Sequence, residues 1–422
     1  MSCIYSEPLC FWAWNGEMDH ERIKDQLRAL HERGMAGVFI HARTGLKIPY
    51  MGEEWMNAFE VAVKECERLG MQAWIYDEDG WPSGFGGGKV YAKDPDYLER
   101  YLLKKELNAG DSFPSHVVAV YRRTETGYEQ VCADFLTTTA QESLMVIYAE
   151  FNPVYVDILN PDAVQYFIEV THERYRERFS KYFGNVIPGI FTDEPHFSPA
   201  GLPWGKYVAK AFSDRNGYSI YEALPYLFEK NSGYESYRYD FWKNISEMIQ
   251  ENYARPYYEW CCKNNLLFTG HYACEEGQVD QIAVSGGVMP LYEYQHIPGV
   301  DSLGNRWVPA PVFKQAEAVA WQLGNRRVLC ETYACSGYDA TFSDIMWIWG
   351  YQAAMGVNVP CLSISMYGMT GGRKRDYPVF FSKQMPWWDR FPELSRGFAR
   401  MNDFLLEGER RDGLLLIHPK TG

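Results

Sequence analysis

The sequence predicts a (β/α)8 barrel, the TIM barrel fold, from three observations. Short apolar runs alternate with amphipathic helical patterns along most of the chain. Eight such runs can be counted, and eight parallel strands close a barrel of this kind. The 422 residues are also enough for one such barrel with insertions.

The first two units show the alternation most fully. Asp19 can cap a helix that Gly34 ends, and residues 38–40 then form an apolar strand. A second amphipathic helix ends at Gly70 and leads into an apolar run at 73–76. The apolar faces of the two helices consist of Ile23, Leu27 and Leu30, and of Trp55, Phe59, Val63 and Cys66.

The same criteria predict the other elements. The connection before the sixth strand is short and rich in glycine. The predicted strands are 11–14, 38–40, 73–76, 187–191, 266–270, 289–292, 328–330 and 357–364. Helical patterns occupy 163–183, 241–263, 313–323, 342–355 and 394–406.

Residues 101–157 depart from this alternation. Runs of alternating polarity at 117–121 and 144–148 flank a polar turn near Gly127, which is typical of antiparallel strands. We therefore predict a small β-rich insertion after strand three.

The insertion divides the predicted barrel domain into residues 1–100 and 158–410. The segment 411–422 contains an apolar run at 413–419. We expect this segment to begin a further strand or a C-terminal domain.

Composition and charge exclude several classes of protein. With 46% hydrophobic and 23% charged residues, the chain is expected to fold. A net charge of −14 opposes binding to nucleic acid or to anionic membranes. The ten cysteines form no CxxC pair. Residues 1–10 lack a charged segment followed by an apolar one, and nowhere do about 18 apolar residues run together. We expect a cytoplasmic protein with reduced thiols, and the high aromatic content suits sugar faces, cores or a homo-oligomer.

Candidate functional residues follow the predicted strands. The active site of a (β/α)8 barrel lies at the C-terminal ends of its strands. Polar and aromatic side chains at these ends are therefore candidates for contact with a substrate. They are Asn15, His41, Arg43, Asp77, Trp81, Asp193, His271, Glu293 and Tyr333. We also expect Trp81, Trp14 and Tyr333 to help form the pocket wall.

Two glutamates are the candidate catalytic pair. Glu194 follows a strand that Pro195 stops, and Glu331 follows the apolar run 328–330. Cleavage of a glycosidic bond needs one carboxylic acid and a second carboxylate on the other side of the anomeric carbon. Each glutamate could instead pair with an arginine or cap a helix. Asp193 alternates with Glu194, so we expect it to face away from the pocket or to hydrogen-bond locally.

Other groups leave alternatives open. The acidic run 77–79 could bind sugar hydroxyls, hold a hard cation or form a solvated turn. His41, Arg43 and His271 could clamp hydroxyls or have structural partners. The glycines at 368, 371 and 372, followed by the basic run 373–375, could cradle the phosphate of an isomerase or aldolase substrate. No lysine ends a predicted strand, and the many acids would repel a phosphate.

Six motifs, taken in barrel order, resemble glycoside hydrolase family 106 and its unclassified relatives from about residue 8 to 400. They are FWAWNG at 11–16, GVFIHAR at 37–43, YDEDGWPSG at 76–84, FTDEP at 191–195, ETYACSG at 331–337 and RKRDYP at 373–378.

This resemblance implies inverting hydrolysis of α-L-rhamnosides. It implies Glu194 as the acid and Glu331 as the base, and it suggests calcium at the sugar hydroxyls without assigning its ligands. The accessory β domains of larger family members have no counterpart in this sequence. A retaining, β-galactosidase-like barrel enzyme and a non-catalytic sugar-binding barrel are the alternatives, although Asp193 stands where many such retaining enzymes carry an Asn.

Overall fold

The computed structural model describes residues 6–108, 110–131, 143–409, 411 and 413–419. Eight parallel strands form a closed barrel in the order β1-β13-β12-β11-β10-β8-β3-β2, so the predicted fold is confirmed. These strands are β1 (Leu9–Trp14), β2 (Gly37–Ala42), β3 (Gln72–Asp79), β8 (Gly189–Asp193), β10 (Leu267–His271), β11 (Ile297–Ser302), β12 (Leu329–Thr332) and β13 (Val359–Met366).

Helices cover the outside of the barrel. Asp19 caps the first of them by accepting a hydrogen bond from the Arg22 N–H, and Gly70 ends the second in a left-handed conformation, both as predicted. The helices are α1 (His20–Glu32), α2 (Glu53–Leu69), α3 (Lys89–Lys93), α4 (Pro161–Val170), α5 (His172–Phe179), α6 (Val208–Asn216), α7 (Ile220–Phe228), α8 (Tyr234–Ile249), α9 (Arg255–Lys263), α10 (Gln278–Ser285), α11 (Val288–Tyr292), α12 (Ala310–Gln322), α13 (Phe342–Ala354) and α14 (Phe391–Glu407).

A second sheet follows β3, where the β-rich insertion is predicted. Its strands pair in the order β6-β5-β7-β4-β9. The sheet extends beyond residues 101–157, because β4 begins at Leu98 and its edge strand β9 comes after β8. The strands are β4 (Leu98–Leu107), β5 (Val117–Thr124), β6 (Gly127–Gln130), β7 (Leu144–Val156) and β9 (Leu202–Trp204).

The prediction of the sixth barrel strand at 289–292 is wrong. These residues form the short helix α11, and the strand is Ile297–Ser302. A run of four apolar residues fits a helix or a strand equally well. Both runs contain a proline, Pro290 and Pro298, and Gly299 weakens the strand pattern of the true strand further.

The interior of the barrel is apolar in its middle and polar toward the C-terminal ends of the strands. Phe39, Phe191 and Leu329 belong to one buried cluster inside the barrel. Side chains alternate along a strand, so the residues two positions further on also point inward. On β8 and β12 these residues are Asp193 and Glu331. The strand geometry thereby directs polar groups to the C-terminal mouth of the barrel.

The C-terminal segment contains no strand in its described part, residues 411 and 413–419. Leu414 to Ile417 are exposed there, and no strand described elsewhere in the chain pairs with them. The strand predicted at 413–419 is therefore not observed, since an isolated strand has no partner for its backbone groups.

Two further properties concern the described residues only. None of their helices is long and apolar enough to cross a membrane. None of their cysteines forms a disulfide with another described cysteine.

Candidate active site

A pocket of about 370 Å³ opens at the C-terminal mouth of the barrel. Acidic groups dominate its wall. The carboxylates are Asp193, Glu194, Asp301, Glu331 and Asp376, and the ionisable or aromatic neighbours are Arg43, Trp81, His271 and Tyr377.

His271 lies at the centre of this pocket. Its Nε2 is 3.0 Å from Glu331 Oε2 and 3.6 Å from Asp193 Oδ1. Its other nitrogen, Nδ1, is 3.9 Å from Glu194 Oε1 and has no hydrogen-bond partner among the described residues. Glu194 and Glu331 therefore approach different nitrogens of one buried ring. The imidazole of His271 lies between the two carboxylates.

A turn at the end of β8 brings Glu194 into the pocket. Its φ is +44°, so the backbone leaves the extended conformation directly after Asp193. The indole Nε1 of Trp81, from the β3 loop, donates to Glu194 Oε2 at 2.6 Å. Trp81 thus lines the pocket, as expected.

Of the two placements expected for Asp193, facing away from the pocket is wrong, whereas its hydrogen bonding to neighbouring groups is observed. Asp193 lies two residues after Phe191 on β8, so its side chain also points into the barrel. The turn at Glu194 lets both consecutive acids reach the same pocket. Asp193 Oδ2 accepts a hydrogen bond from Tyr76 Oη at 2.5 Å, and its backbone N–H donates to Ser83 Oγ at 2.7 Å.

Asp301 is a pocket residue that the sequence reasoning missed. Its strand β11 pairs with β12 so that Asp301 stands beside Glu331. The Asp301 N–H donates to Glu275 Oε2 at 2.9 Å, whereas Oδ1 is buried without a partner in the described part of the chain. The sequence signal for this residue is an acid near the end of the sixth strand. It was missed because the sixth strand was predicted at 289–292.

The charges in the pocket shift its pKa values. Burial would lower the pKa of His271, but Asp193 and Glu331 outweigh it and hold that pKa well above its ordinary value. Burial raises the pKa of Asp193 to about 7, although His271 opposes this shift. Burial and the neighbouring Glu331 raise the pKa of Asp301. An imidazolium at His271 can therefore balance part of the negative charge of these acids.

Arg43 also lines the pocket, where it forms a bidentate ion pair. Its Nε and Nη2 donate to Asp376 at 2.8 and 2.9 Å. The guanidinium lies 5.7 Å from the ring centre of Tyr377. Arg43 therefore fixes the loop after β13 against the mouth of the barrel.

Five of the nine predicted contact residues do not line the pocket. Three of them are Asn15, His41 and Glu293. Asn15 exchanges two hydrogen bonds with the backbone of Gly368, at 3.0 and 2.7 Å. His41 stacks on Tyr76 with 3.6 Å between ring centres. Glu293 comes directly after helix α11, so it is not at a strand end, and it is exposed.

Trp14 and Tyr333 were expected in the pocket wall, and this expectation is wrong. Trp14 is fully buried and packs edge-on against Trp12 and Trp55. Tyr333 is fully buried and donates its hydroxyl to the backbone oxygen of Ile345. Both side chains point outward from their strands and pack beneath the helices.

Asp77 and Glu78, at the end of β3, make hydrogen bonds inside the protein. Asp77 accepts hydrogen bonds from Ser83 Oγ at 2.5 Å and from the Tyr257 hydroxyl at 2.8 Å, outside the pocket. Glu78 accepts from the backbone N–H groups of Gly84, Gly86 and Gly87. Neither side chain is left free for a sugar hydroxyl or a hard cation.

Asp193, His271 and Glu331 form a cluster whose possible ligand atoms lie within 4.8 Å of one another. Calcium prefers six to eight oxygen ligands. This cluster offers two carboxylates and an imidazole that already contacts Glu331. Its donor set therefore does not fit calcium.

Several buried carboxyl groups predict that the fold is more stable in mild acid. Burial raises the pKa of Glu78, Glu99, Asp157 and Glu275 to about 7. Between the ordinary carboxyl pKa and 7, the folded chain keeps protons that the unfolded chain releases. This contribution to stability is lost as the pH rises through about 7. We expect a higher Tm at about pH 5.5 than at about pH 8.

Thermal unfolding at the two pH values checks this expectation. Glu275→Gln is the matched variant, because glutamine keeps the shape of the side chain but cannot ionise. It should show a smaller change in Tm with pH than the unmodified protein. A Tm that rises from pH 5.5 to pH 8 would contradict the assignment.

No family model matches the chain, and no curated protein matches it. A solved rhamnosidase structure from Novosphingobium sp. PP1Y is similar, with TM-score 0.70, 14% identity and coverage of 96% of this chain and 60% of that one. A β-galactosidase from the psychrophilic Marinomonas ef1 has TM-score 0.56 and 9% identity, over 95% of this chain and 62% of that one. These similarities establish the fold. This chain spans less than two thirds of either protein.

Proposed function

We propose that the chain is a glycoside hydrolase that cleaves a terminal glycosidic bond with Glu194 and Glu331. The observation that carries this proposal is the placement of the two carboxylates on opposite nitrogens of His271 in one acidic pocket. The similarity of the fold to a rhamnosidase and a β-galactosidase supports the reaction class. The motif resemblance favours an α-L-rhamnoside as substrate.

In the proposed reaction, Glu331 takes a proton from a water molecule as the water oxygen attacks the anomeric carbon. The bond from that carbon to the glycosidic oxygen breaks, and Glu194 gives its proton to the departing oxygen. Trp81 orients Glu194 through the indole N–H, and His271 orients Glu331. His271 and Asp301 both line the pocket, so they are the candidates for contact with the sugar beside the two glutamates.

The phosphate-binding alternative has less support. The basic run lies in a short 3-10 helix, Gly371–Arg375, which does not line the pocket. Five carboxylates around the cavity would repel a phosphate.

The stereochemistry of the product tests the inverting form of the proposal. Hydrolysis of nitrophenyl α-L-rhamnoside followed by proton NMR should show β-L-rhamnose as the first-formed sugar. Inversion is expected because the proposed base activates water instead of attacking the sugar. First-formed α-L-rhamnose would indicate a retaining enzyme. Binding without turnover across a panel of nitrophenyl glycosides would favour a sugar-binding barrel instead.

A further inference from the structure

An exposed aromatic group stands on the rim of the barrel, apart from the pocket. Trp307 is 63% exposed and Trp347 is 41% exposed. The Trp307 ring lies 4.8 Å from Trp347 and 4.3 Å from Tyr351, and both contacts are edge-on. We call these three side chains the Trp307 platform.

The platform is held in place although it is exposed. The Tyr351 hydroxyl donates to the backbone oxygen of Val308 at 2.6 Å, and Val308 is buried. The two edge-on neighbours fix the Trp307 ring and leave much of its surface open. A preorganised ring loses little conformational entropy when it binds a ligand.

The loop that carries Trp307 also forms part of the pocket wall. Trp307 belongs to the loop between β11 and α12, and this loop contributes Leu303 to the pocket. The Gly304 N–H donates to the backbone oxygen of Ala334, another pocket residue, at 2.6 Å. Arg306 Nε donates to the backbone oxygen of Leu303 at 3.3 Å. The bond at Gly304 holds this loop against the pocket wall, and the bond at Arg306 holds the loop to itself.

We propose that the Trp307 platform binds a sugar unit of a longer glycan, on the leaving-group side of the bond that is cleaved. This proposal rests on the proposed glycosidase function and deepens it, because it assigns an oligosaccharide as the substrate. The flat apolar face of a sugar ring can stack on an indole. The ion pair of Arg306 with Glu276, 2.6 Å apart, places charged groups beside Trp307 that can contact hydroxyls.

A second copy of the chain fits this surface less well. A stable interface buries about 800 Å² on each partner. An aromatic side chain offers about 150–250 Å², so two partly exposed tryptophans fall well short. A single sugar ring matches the size of the platform.

Two substrates with the same terminal sugar distinguish the contribution of the platform from that of the pocket. They are nitrophenyl α-L-rhamnoside and a trisaccharide with a terminal α-L-rhamnosyl unit. We expect Trp307→Ala to raise the KM for the trisaccharide about tenfold and to leave the nitrophenyl substrate unaffected. Trp307→Phe, which keeps an aromatic face, should recover most of the loss. Tyr239→Ala is the control, because Tyr239 is 50% exposed on the distant chain segment α8.

The other outcomes are equally informative. Equal effects of Trp307→Ala on both substrates, or no effect on either, would contradict sugar binding by the platform. A lower oligomeric mass of Trp307→Ala on sedimentation would also contradict it. If the unmodified protein hydrolyses neither substrate, the proposed function fails, and calorimetric titration with the trisaccharide still tests the platform. Binding that Trp307→Ala abolishes would then support it, and no binding to the unmodified protein would overturn it.

Discussion

Glu331→Gln is expected to abolish turnover of every glycoside, whatever its leaving group. The amide cannot take the proton of the attacking water, so kcat should fall by about a thousandfold or more. Glutamine preserves the size of the side chain, and the contact with His271 Nε2 at 3.0 Å can be kept by the amide oxygen. Substrate binding should therefore survive. Steady-state kinetics and calorimetric titration of the same variant separate these two effects.

Glu293→Gln is the matched control, because Glu293 was a candidate from the sequence and lies outside the pocket. This control should retain the activity of the unmodified protein. Mass spectrometry of Glu331→Gln with substrate should detect no glycosyl-enzyme, since an inverting reaction forms none. A Glu331→Gln variant that keeps most of its turnover would remove Glu331 from the reaction.

The fold could be predicted because its signal is periodic. Seven of the eight predicted barrel strands overlap strands of the structure, and the caps at Asp19 and Gly70 are where the sequence indicates. The sixth strand was misplaced, and Asp301 was missed with it. A proline in a short strand is tolerated here because the barrel register, and not local propensity, holds β11 in place.

The composition of the site was harder to predict, because the inward phase of each strand decides which residue reaches the pocket. Asp193 follows Phe191 inward, whereas Asp77 points outward to Tyr257. Trp14 and Tyr333 also face the helices. A sequence identifies the end of a strand to within a residue or two, and an error of one residue reverses the direction of the side chain.

Glu194→Gln is expected to slow hydrolysis in proportion to the basicity of the leaving group. The variant cannot protonate the departing oxygen, so alkyl and sugar leaving groups should lose about a hundredfold to ten-thousandfold in kcat. A dinitrophenolate needs little protonation and should lose far less. Rates for a series of aryl and alkyl α-L-rhamnosides, plotted against the pKa of the leaving group, measure this dependence.

Trp81→Phe tests the same assignment through the residue that donates a hydrogen bond to Glu194. Phenylalanine keeps an aromatic wall but removes the indole N–H that donates to Glu194 Oε2 at 2.6 Å. This hydrogen bond orients the carboxyl group, so its loss should lower kcat for alkyl and sugar leaving groups by about tenfold and affect dinitrophenyl substrates less. The rate at the optimum should change less than in Glu194→Gln, because the proton donor remains. If Glu194→Gln and Trp81→Phe each slow all leaving groups equally, Glu194 binds the sugar and does not act as the acid.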